Sequence, residues 1–274
     1  MAFITKIKDF KKEIAAFLIM LAAYFPTLIW MWDRWWSKDS YYTHGILVPI
    51  VSGFLVWQLK DDLAKIKRKE SAWAIRLIVI GLGVHLFSSL FRVYFSSGFS
   101  MILVLMGLIL FFFGGEFLKR IIFPVLFLLF MIPIPLVAIA TISFKLKILA
   151  AEIATVVLNN MRIPALREGS VIRMRDAYVI VDDVCSGLRS LIALTALGSV
   201  FAYWMKDKAY KRILLFLSTI PIAIITNVCR VILLCCISEI WGPKYATGFI
   251  HDLSGFMVFA LAFILLFVVG KLIE

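Results

Sequence analysis

The sequence is poor in charged residues and in histidine. Charged residues make up 17% of its 274 residues and histidines number three, whereas 63% of the residues are hydrophobic. The mean hydropathy is +0.99. Soluble domains carry about 25% charged and about 50% apolar residues. The composition therefore excludes a soluble globular domain and predicts a polytopic membrane protein.

Several motifs of metal and phosphate sites are absent from the chain. It contains no Gly-rich phosphate loop, no CxxC pair and no HExxH motif. Its three histidines are scattered over three predicted membrane spans and lack the spacing of metal ligands. We therefore expect no metal ion and no other cofactor.

The four cysteines do not have the pattern of a disulfide framework. Three lie in one apolar run, where cysteine behaves as a small hydrophobic residue: Cys229, Cys235 and Cys236. Cys185 has polar neighbours and lies where a polar stretch meets a long apolar run. A helix that begins here favours the thiolate through its dipole, and Arg189 one turn later adds positive charge. Cys185 is therefore the predicted nucleophile, and the alternative is an inert buried cysteine. Asp182 and Asp183 oppose the thiolate, and the direction of their side chains stays open.

The excess of basic residues indicates membrane topology rather than nucleic acid binding. The formal net charge is +12, and the basic residues cluster in short loops between apolar runs, as in cytoplasmic loops. A lysine cluster that includes Lys6 and Lys8 places the N-terminus in the cytoplasm. The pattern predicts eight spans with both termini in the cytoplasm. They are expected at residues 15–32, 44–59, 73–91, 99–113, 121–140, 188–204, 213–237 and 249–269.

Residues 141–184 form the predicted extracytoplasmic segment. In residues 141–162 an apolar stripe lies opposite a polar one that includes Lys145 and Glu152. This pattern predicts an amphipathic helix on the outer surface, and the alternative is a further span. Residues 170–174 and 178–181 predict a small β-hairpin. We expect an all-α integral membrane protein whose residues 1–274 form a single membrane domain.

Three polar residues share a predicted depth near the outer edge of the membrane. Cys185 begins the sixth span, Arg230 lies two-thirds along the outward seventh span, and His251 begins the eighth. Consecutive spans with short connections pack side by side, so a thiol, a guanidinium and an imidazole can meet. Arg230 costs about 2.5–3.5 kcal/mol to insert, which favours an oxyanion or carboxylate ligand over a structural strut. His251 fits proton transfer, and the alternative is a solvated interfacial histidine.

The chain resembles the exosortases, the bacterial relatives of archaeosortases. The resemblance rests on three signature blocks: Cys185-Ser186-Gly187-Leu188-Arg189, Asn227-x-x-Arg230 and His251. Further blocks in the family's order include Thr43-His44-Gly45 and Arg167-Glu168-Gly169. The match covers about residues 42–259. Val184 stands where the family usually has alanine.

The resemblance implies a membrane-embedded cysteine transpeptidase of the bacterial cytoplasmic (inner) membrane. Cys185 would be the nucleophile, Arg230 would stabilise charge and His251 would transfer protons. Its substrates would be exported proteins with a C-terminal sorting signal of the PEP-CTERM type. They would be cleaved at the outer face and passed through a thioester to an unknown acceptor, with lipid-linked and glycan-linked acceptors as candidates. Such genes often accompany exopolysaccharide production. Residues expected to bind substrate or support the site are Arg189, Asn227, Ser186, Gly187, His44 and Asp252.

Two functions of other classes remain as alternatives. One is a transporter that uses Arg230 to bind a charged substrate, although the chain lacks the internal repeats common in transporters. The other is a non-catalytic membrane subunit of polysaccharide assembly. Neither assigns a chemical role to Cys185.

A membrane-impermeant thiol reagent is expected to reach Cys185 from outside the cell membrane and to miss the other three cysteines. The eight-span topology places only Cys185 at the outer boundary. Mass spectrometry of the labelled chain identifies the modified positions. Labelling of Cys185 only after the cytoplasmic face is exposed would contradict this topology.

Overall fold

The computed structural model of the protein describes residues 10–38, 40–69, 71–246 and 248–274, without the side chains of Val184 and Asp252. Within these ranges the chain is mainly helical and forms two compact units, which divide between Ile134 and Pro135. Lys6 and Lys8 lie outside the described residues. The single membrane domain over residues 1–274 stays a prediction.

The first unit is built from helices. In chain order they are α1 (Lys11–Ala23), α2 (Phe25–Trp36), α3 (Leu47–Gln58), α4 (Lys60–Leu63), α5 (Trp73–Leu90), α6 (Tyr94–Phe112) and α7 (Gly115–Phe127), which continues as a 3₁₀ helix (Leu128–Met131). The predicted first span is split between α1 and α2, whose axes differ by 66°. Pro26 has no amide proton for the carbonyl four residues earlier, so α1 ends and α2 begins around it. At this break the buried Tyr24 hydroxyl lies 2.9 Å from Ser100 Oγ.

The second unit carries Cys185, Arg230 and His251 and every other predicted site residue except His44. Its elements are α8 (Leu136–Asn160), β1 (Leu166–Glu168), β2 (Val171–Arg173), β3 (Tyr178–Ile180), a 3₁₀ helix (Val184–Ser186), α9 (Leu188–Trp204), α10 (Ala209–Trp241), a second 3₁₀ helix (Pro243–Ala246) and α11 (Phe249–Ile273). Helices α9, α10 and α11 pack against one another through a buried apolar cluster that includes Leu194, Leu215 and Leu266.

The small sheet has three antiparallel strands in the order β1-β2-β3, with Glu168 opposite Val171 and Val171 opposite Ile180. The predicted hairpin corresponds to β2 and β3, and β1 was not predicted. Gly169 has φ +64° in the two-residue Gly-Ser turn that joins β1 to β2. Gly-Ser between two short strands is a known hairpin signal, so the sequence contained the information for β1.

The predicted number of spans was eight. Among the described residues, four helices are long and apolar enough to cross a membrane, namely α5, α6, α10 and α11, and the count rises to six if α1–α2 and α7–α8 are each one interrupted span. Eight spans are not confirmed. Helix α3 has 12 residues, about 18 Å, against a hydrocarbon core of about 30 Å. The predicted fifth span is interrupted before Leu136, where Pro133 and Pro135 break the helix.

Helix α8 confirms the predicted helix, with a start five residues earlier. Its predicted apolar stripe is exposed on the protein: Ile142, Leu149, Ile153 and Val156. The buried face carries mostly small residues: Ile139, Ser143, Ala150, Ala151, Ala154 and Leu158. This combination is typical of a helix that contacts lipid on one side and protein on the other. Whether α8 lies on the membrane or crosses it stays a prediction.

Ala151→Leu is expected to lower the free energy of unfolding by about 1–3 kcal/mol, because extra methylene groups overpack a close-packed site. Ala151 is 0% exposed in the core of the second unit. Denaturant unfolding in detergent measures the change. The control, Val156→Leu, alters a residue of the same helix that is 57% exposed. Equal effects of the two substitutions would contradict the assignment of the buried face.

Candidate active site

Cys185 lies in the 3₁₀ helix immediately before α9, as the sequence predicted for a cysteine at a helix start. Gly187 follows with φ +80°, and a Cβ there would lie 2.7 Å from Asn227 Cγ. Both the left-handed backbone and the close side chain require glycine. Asn227 is 3% exposed and donates from Nδ2 to the Cys185 carbonyl at 2.9 Å. The turn is therefore fixed against α10 at the nucleophile itself.

The two acidic residues before Cys185 point to different partners. Asp182 Oδ1 accepts a hydrogen bond from the Cys185 amide at 3.0 Å. Asp183 Oδ1 accepts from Lys147 Nζ at 2.9 Å and from Ser143 Oγ at 3.2 Å, both on α8. Lys147 holds the pKa of the Asp183 carboxyl below its ordinary value. The sequence left these directions open, and only the Asp182 carboxylate is turned towards Cys185.

The thiol and the imidazole are in direct contact. Cys185 Sγ lies 2.8 Å from His251 Nε2 in the first turn of α11. Cys185 is 4% exposed, and burial raises its thiol pKa to about 12, with Arg230 lowering and Asp182 raising it. Burial therefore opposes the thiolate that the helix start and Arg189 are expected to favour, and that expectation stays a prediction. The thiol and the imidazole lie within hydrogen-bond reach of each other.

Arg230 connects α10 to the same imidazole. Its Nε donates to Ser254 Oγ at 2.9 Å, and its Nη2 donates to the His251 carbonyl at 3.0 Å. Nη2 also lies 3.3 Å from His251 Nε2. Arg230 is 7% exposed, so these partners replace the water that a buried guanidinium loses.

Ser254 is a site residue that the sequence reasoning missed. It is buried, accepts from Arg230 and donates from Oγ to the His251 carbonyl at 2.6 Å. Ser254 follows His251 by three residues, so both lie on one face of α11. This spacing was the feature of the sequence that could have identified it. Gly255 leaves room for the guanidinium, since a Cβ there would lie 3.3 Å from Arg230 Nη2.

The remaining predicted site residues have varied surroundings. Ser186 is buried and donates from Oγ to the Asp183 carbonyl at 2.7 Å, while Arg189 is half-buried. His44 belongs to the first unit and stacks on Tyr42 with 5.8 Å between ring centroids. Both His44 ring nitrogens are buried without a partner in the described part of the chain, and burial lowers the pKa to about 4. The predicted role of Asp252 rests on a side chain outside those described.

One set of side chains could hold a metal ion. Asp182, Cys185 and His251 offer three ligand atoms within 4.8 Å of one another. Carboxylate, thiolate and imidazole are ordinary ligands of Zn²⁺. A dication there would lie beside the Arg230 guanidinium, which opposes its binding. The absence of a resident metal stays a prediction.

The family model described as transmembrane exosortase (EpsH) matches residues 35–268. The chain belongs to the transmembrane exosortase family. No curated protein and no solved structure matches the chain. The matched region of this exosortase includes the whole cluster around Cys185, including the residues missed from the sequence, Ser143, Lys147 and Ser254. Membership also establishes a membrane protein, in agreement with its apolar helices.

Gly187→Ala is expected to lower the free energy of unfolding of this exosortase by at least about 1–2 kcal/mol, the cost of a left-handed backbone at a residue with a Cβ. Contact with Asn227 adds to that cost. Denaturant unfolding in detergent measures it. Gly83→Ala is the control, because nothing lies within 4 Å of a Cβ there. A Gly187→Ala protein as stable as the control would show that the turn relaxes freely.

Proposed function

We propose that this exosortase is a cysteine transpeptidase that cleaves C-terminal sorting signals of exported proteins. The observation that carries the proposal is the 2.8 Å contact between Cys185 Sγ and His251 Nε2, with Arg230 beside the same nitrogen. A nucleophile within hydrogen-bond reach of a base, with the base oriented by a third group, is the arrangement of covalent catalysis. Here Arg230 and Ser254 both hold the His251 carbonyl.

The proposed reaction consists of two acyl transfers, first from the substrate to Cys185 and then from Cys185 to the acceptor. His251 Nε2 takes the thiol proton as Cys185 Sγ attacks the carbonyl carbon of the scissile peptide. The C–N bond then breaks, and the leaving amine takes the proton from His251, which leaves a thioester on Cys185. The acceptor's nucleophile attacks that thioester and gives its proton to His251. The departing sulfur recovers this proton, so the enzyme is regenerated.

Arg230 supplies the electrostatic part of the proposed mechanism. Its guanidinium lies beside the Cys185–His251 pair and would stabilise the negative charge of the tetrahedral oxyanion that forms during attack. Together with a thiol pKa raised to about 12 by burial, this favours proton transfer during attack rather than before it.

The substrate class comes from the family resemblance and from the position of the site. Cys185 precedes α9, whose apolar residues continue from Leu188 to Trp204. A nucleophile at a membrane edge suits a scissile bond next to the substrate's own membrane span. We infer that the site faces outward from the bacterial inner membrane and that the substrate carries a PEP-CTERM-like tail. A transporter or a non-catalytic assembly subunit would leave the contact between Cys185 and His251 without a role.

Cys185→Ala is expected to abolish processing of a tailed substrate co-expressed with the enzyme. His251→Gln is expected to lower the rate about 10²–10⁴-fold through loss of acid–base catalysis, and Arg230→Lys about 10²–10³-fold through weaker oxyanion stabilisation. Immunoblotting of precursor and product over time, at matched enzyme levels, measures the rates.

Cys229→Ala is the matched control, because Cys229 is an exposed residue of α10. It is expected to keep the wild-type rate. Normal processing by folded Cys185→Ala protein would refute the proposed nucleophile.

A further inference from the structure

The inner face of α8 contains a half-buried lysine, Lys147. Lys147 lies one turn from Ser143 and one turn from Ala151 on that face, and its side chain is 18% exposed. A lysine on the inner face of an apolar helix is expensive unless it is paired. Its Nζ lies 2.9 Å from Asp183 Oδ1. The positive charge of Lys147 is therefore paired with a residue two positions before Cys185.

Ser143 reinforces the same contact. Its hydroxyl is 0% exposed and donates to the same carboxylate oxygen at 3.2 Å. A buried serine and a half-buried lysine, one turn apart on α8, therefore converge on the Asp183 carboxylate, whose side chain is 64% exposed. The carboxylate is held on the α8 side, while Asp182 alone faces the Cys185 amide.

Asp183 is joined by its backbone to the turn that carries Cys185. Its carbonyl accepts from the Ser186 amide at 3.3 Å and from Ser186 Oγ at 2.7 Å. The side chain of Asp183 is therefore held on α8, and its carbonyl is held by Ser186 within the turn. Displacement of Asp183 would carry Cys185 Sγ away from His251.

We propose that Lys147 and Asp183 form a clamp that positions the Cys185 turn for attack, which makes Lys147 a positioning residue of the transpeptidation proposed above. This inference rests on that proposed function for its catalytic consequence, but not for the position of the turn. Lys147 contacts Asp183 and would act on the nucleophile through it.

The test compares Lys147→Met with Lys145→Met, the same substitution at an exposed lysine of α8. Lys147→Met is expected to lower kcat for tail processing about 10–100-fold with little change in KM, since misplacement of a reacting group by about 1 Å has effects of this size. Lys147→Arg keeps the charge and is expected to recover most of kcat. The double variant Lys147→Met/Asp183→Asn is expected to be no slower than the slower single variant, because both act through one contact.

A second readout needs no substrate. Release of the turn is expected to expose the Cys185 thiol and to raise its rate of alkylation by a water-soluble maleimide several-fold, while Cys235, 0% exposed in α10, stays protected. A simple loss of fold would expose both cysteines and would lower the amount of active protein rather than kcat per folded molecule. Mass spectrometry of the two cysteine peptides separates these results.

The outcomes distinguish the clamp from the proposed function. Unchanged kcat and unchanged Cys185 alkylation in folded Lys147→Met would overturn the clamp, even with an active wild-type enzyme. Selective exposure of Cys185 in the variant would support the clamp even if the wild-type protein processed no tailed substrate, and that second result would overturn the transpeptidase proposal alone. Equal losses of kcat in Lys147→Met and Lys145→Met would count against a specific role.

Discussion

The need to solvate one buried guanidinium organises the second unit. Arg230 lies within the 33-residue helix α10 and is 7% exposed. An unpaired charge there would cost several kcal/mol, so α11 must present acceptors to it. It does so with Ser254 Oγ and the His251 carbonyl. The side chain that satisfies Arg230 is one helical turn from His251, and the imidazole is thereby brought to Nη2. The contacts that pair the Arg230 charge therefore also orient His251, the candidate base.

The turn that carries the Cys185 thiol is held by contacts other than those of Arg230. It is held by Asn227 of α10 at the Cys185 carbonyl, by Asp182 at the Cys185 amide and by α8 through Asp183. Gly187 lets the chain pass close to Asn227 before α9 begins. Small residues on α8 allow that helix to approach the turn closely. Two helices, α8 and α10, therefore hold the turn that carries the sulfur atom, and a rigid support of this kind is what a catalytic constellation requires.

Much of this arrangement could be predicted from the sequence, for physical reasons that also set the limit. Hydropathy located α9 over Leu188–Trp204, the same residues as in the structure. Matching depths across three apolar runs predicted that Cys185, Arg230 and His251 meet, as they do in the structure. The span count was not confirmed, because hydropathy detects apolar segments but does not show whether a 12-residue helix such as α3 crosses a bilayer.

Residues whose role depends on side-chain direction could not be predicted. A serine such as Ser254 is common in helices and becomes meaningful only beside the guanidinium. The Lys147–Asp183 pair joins residues 36 positions apart, and no local pattern specifies which of two adjacent acids turns towards α8. A lysine in an apolar helix, such as Lys147 in α8, is costly unless it is paired, which was the signal in the sequence that a partner existed. It did not identify that partner.

The distribution of charge around Cys185 has a consequence for its chemistry. Arg230 and Asp182 act on the thiol pKa in opposite directions, and burial, the largest influence, raises it. Oxidation and alkylation follow thiolate character and exposure, so a Cys185 side chain that is 4% exposed is expected to react slowly with an external thiol reagent, and the labelling test of topology depends on the side of access rather than on the rate. A permanently activated thiolate would be vulnerable on the outward face that the proposed function requires. Activation by a base in contact, at the moment of attack, reconciles a reactive cysteine with that environment.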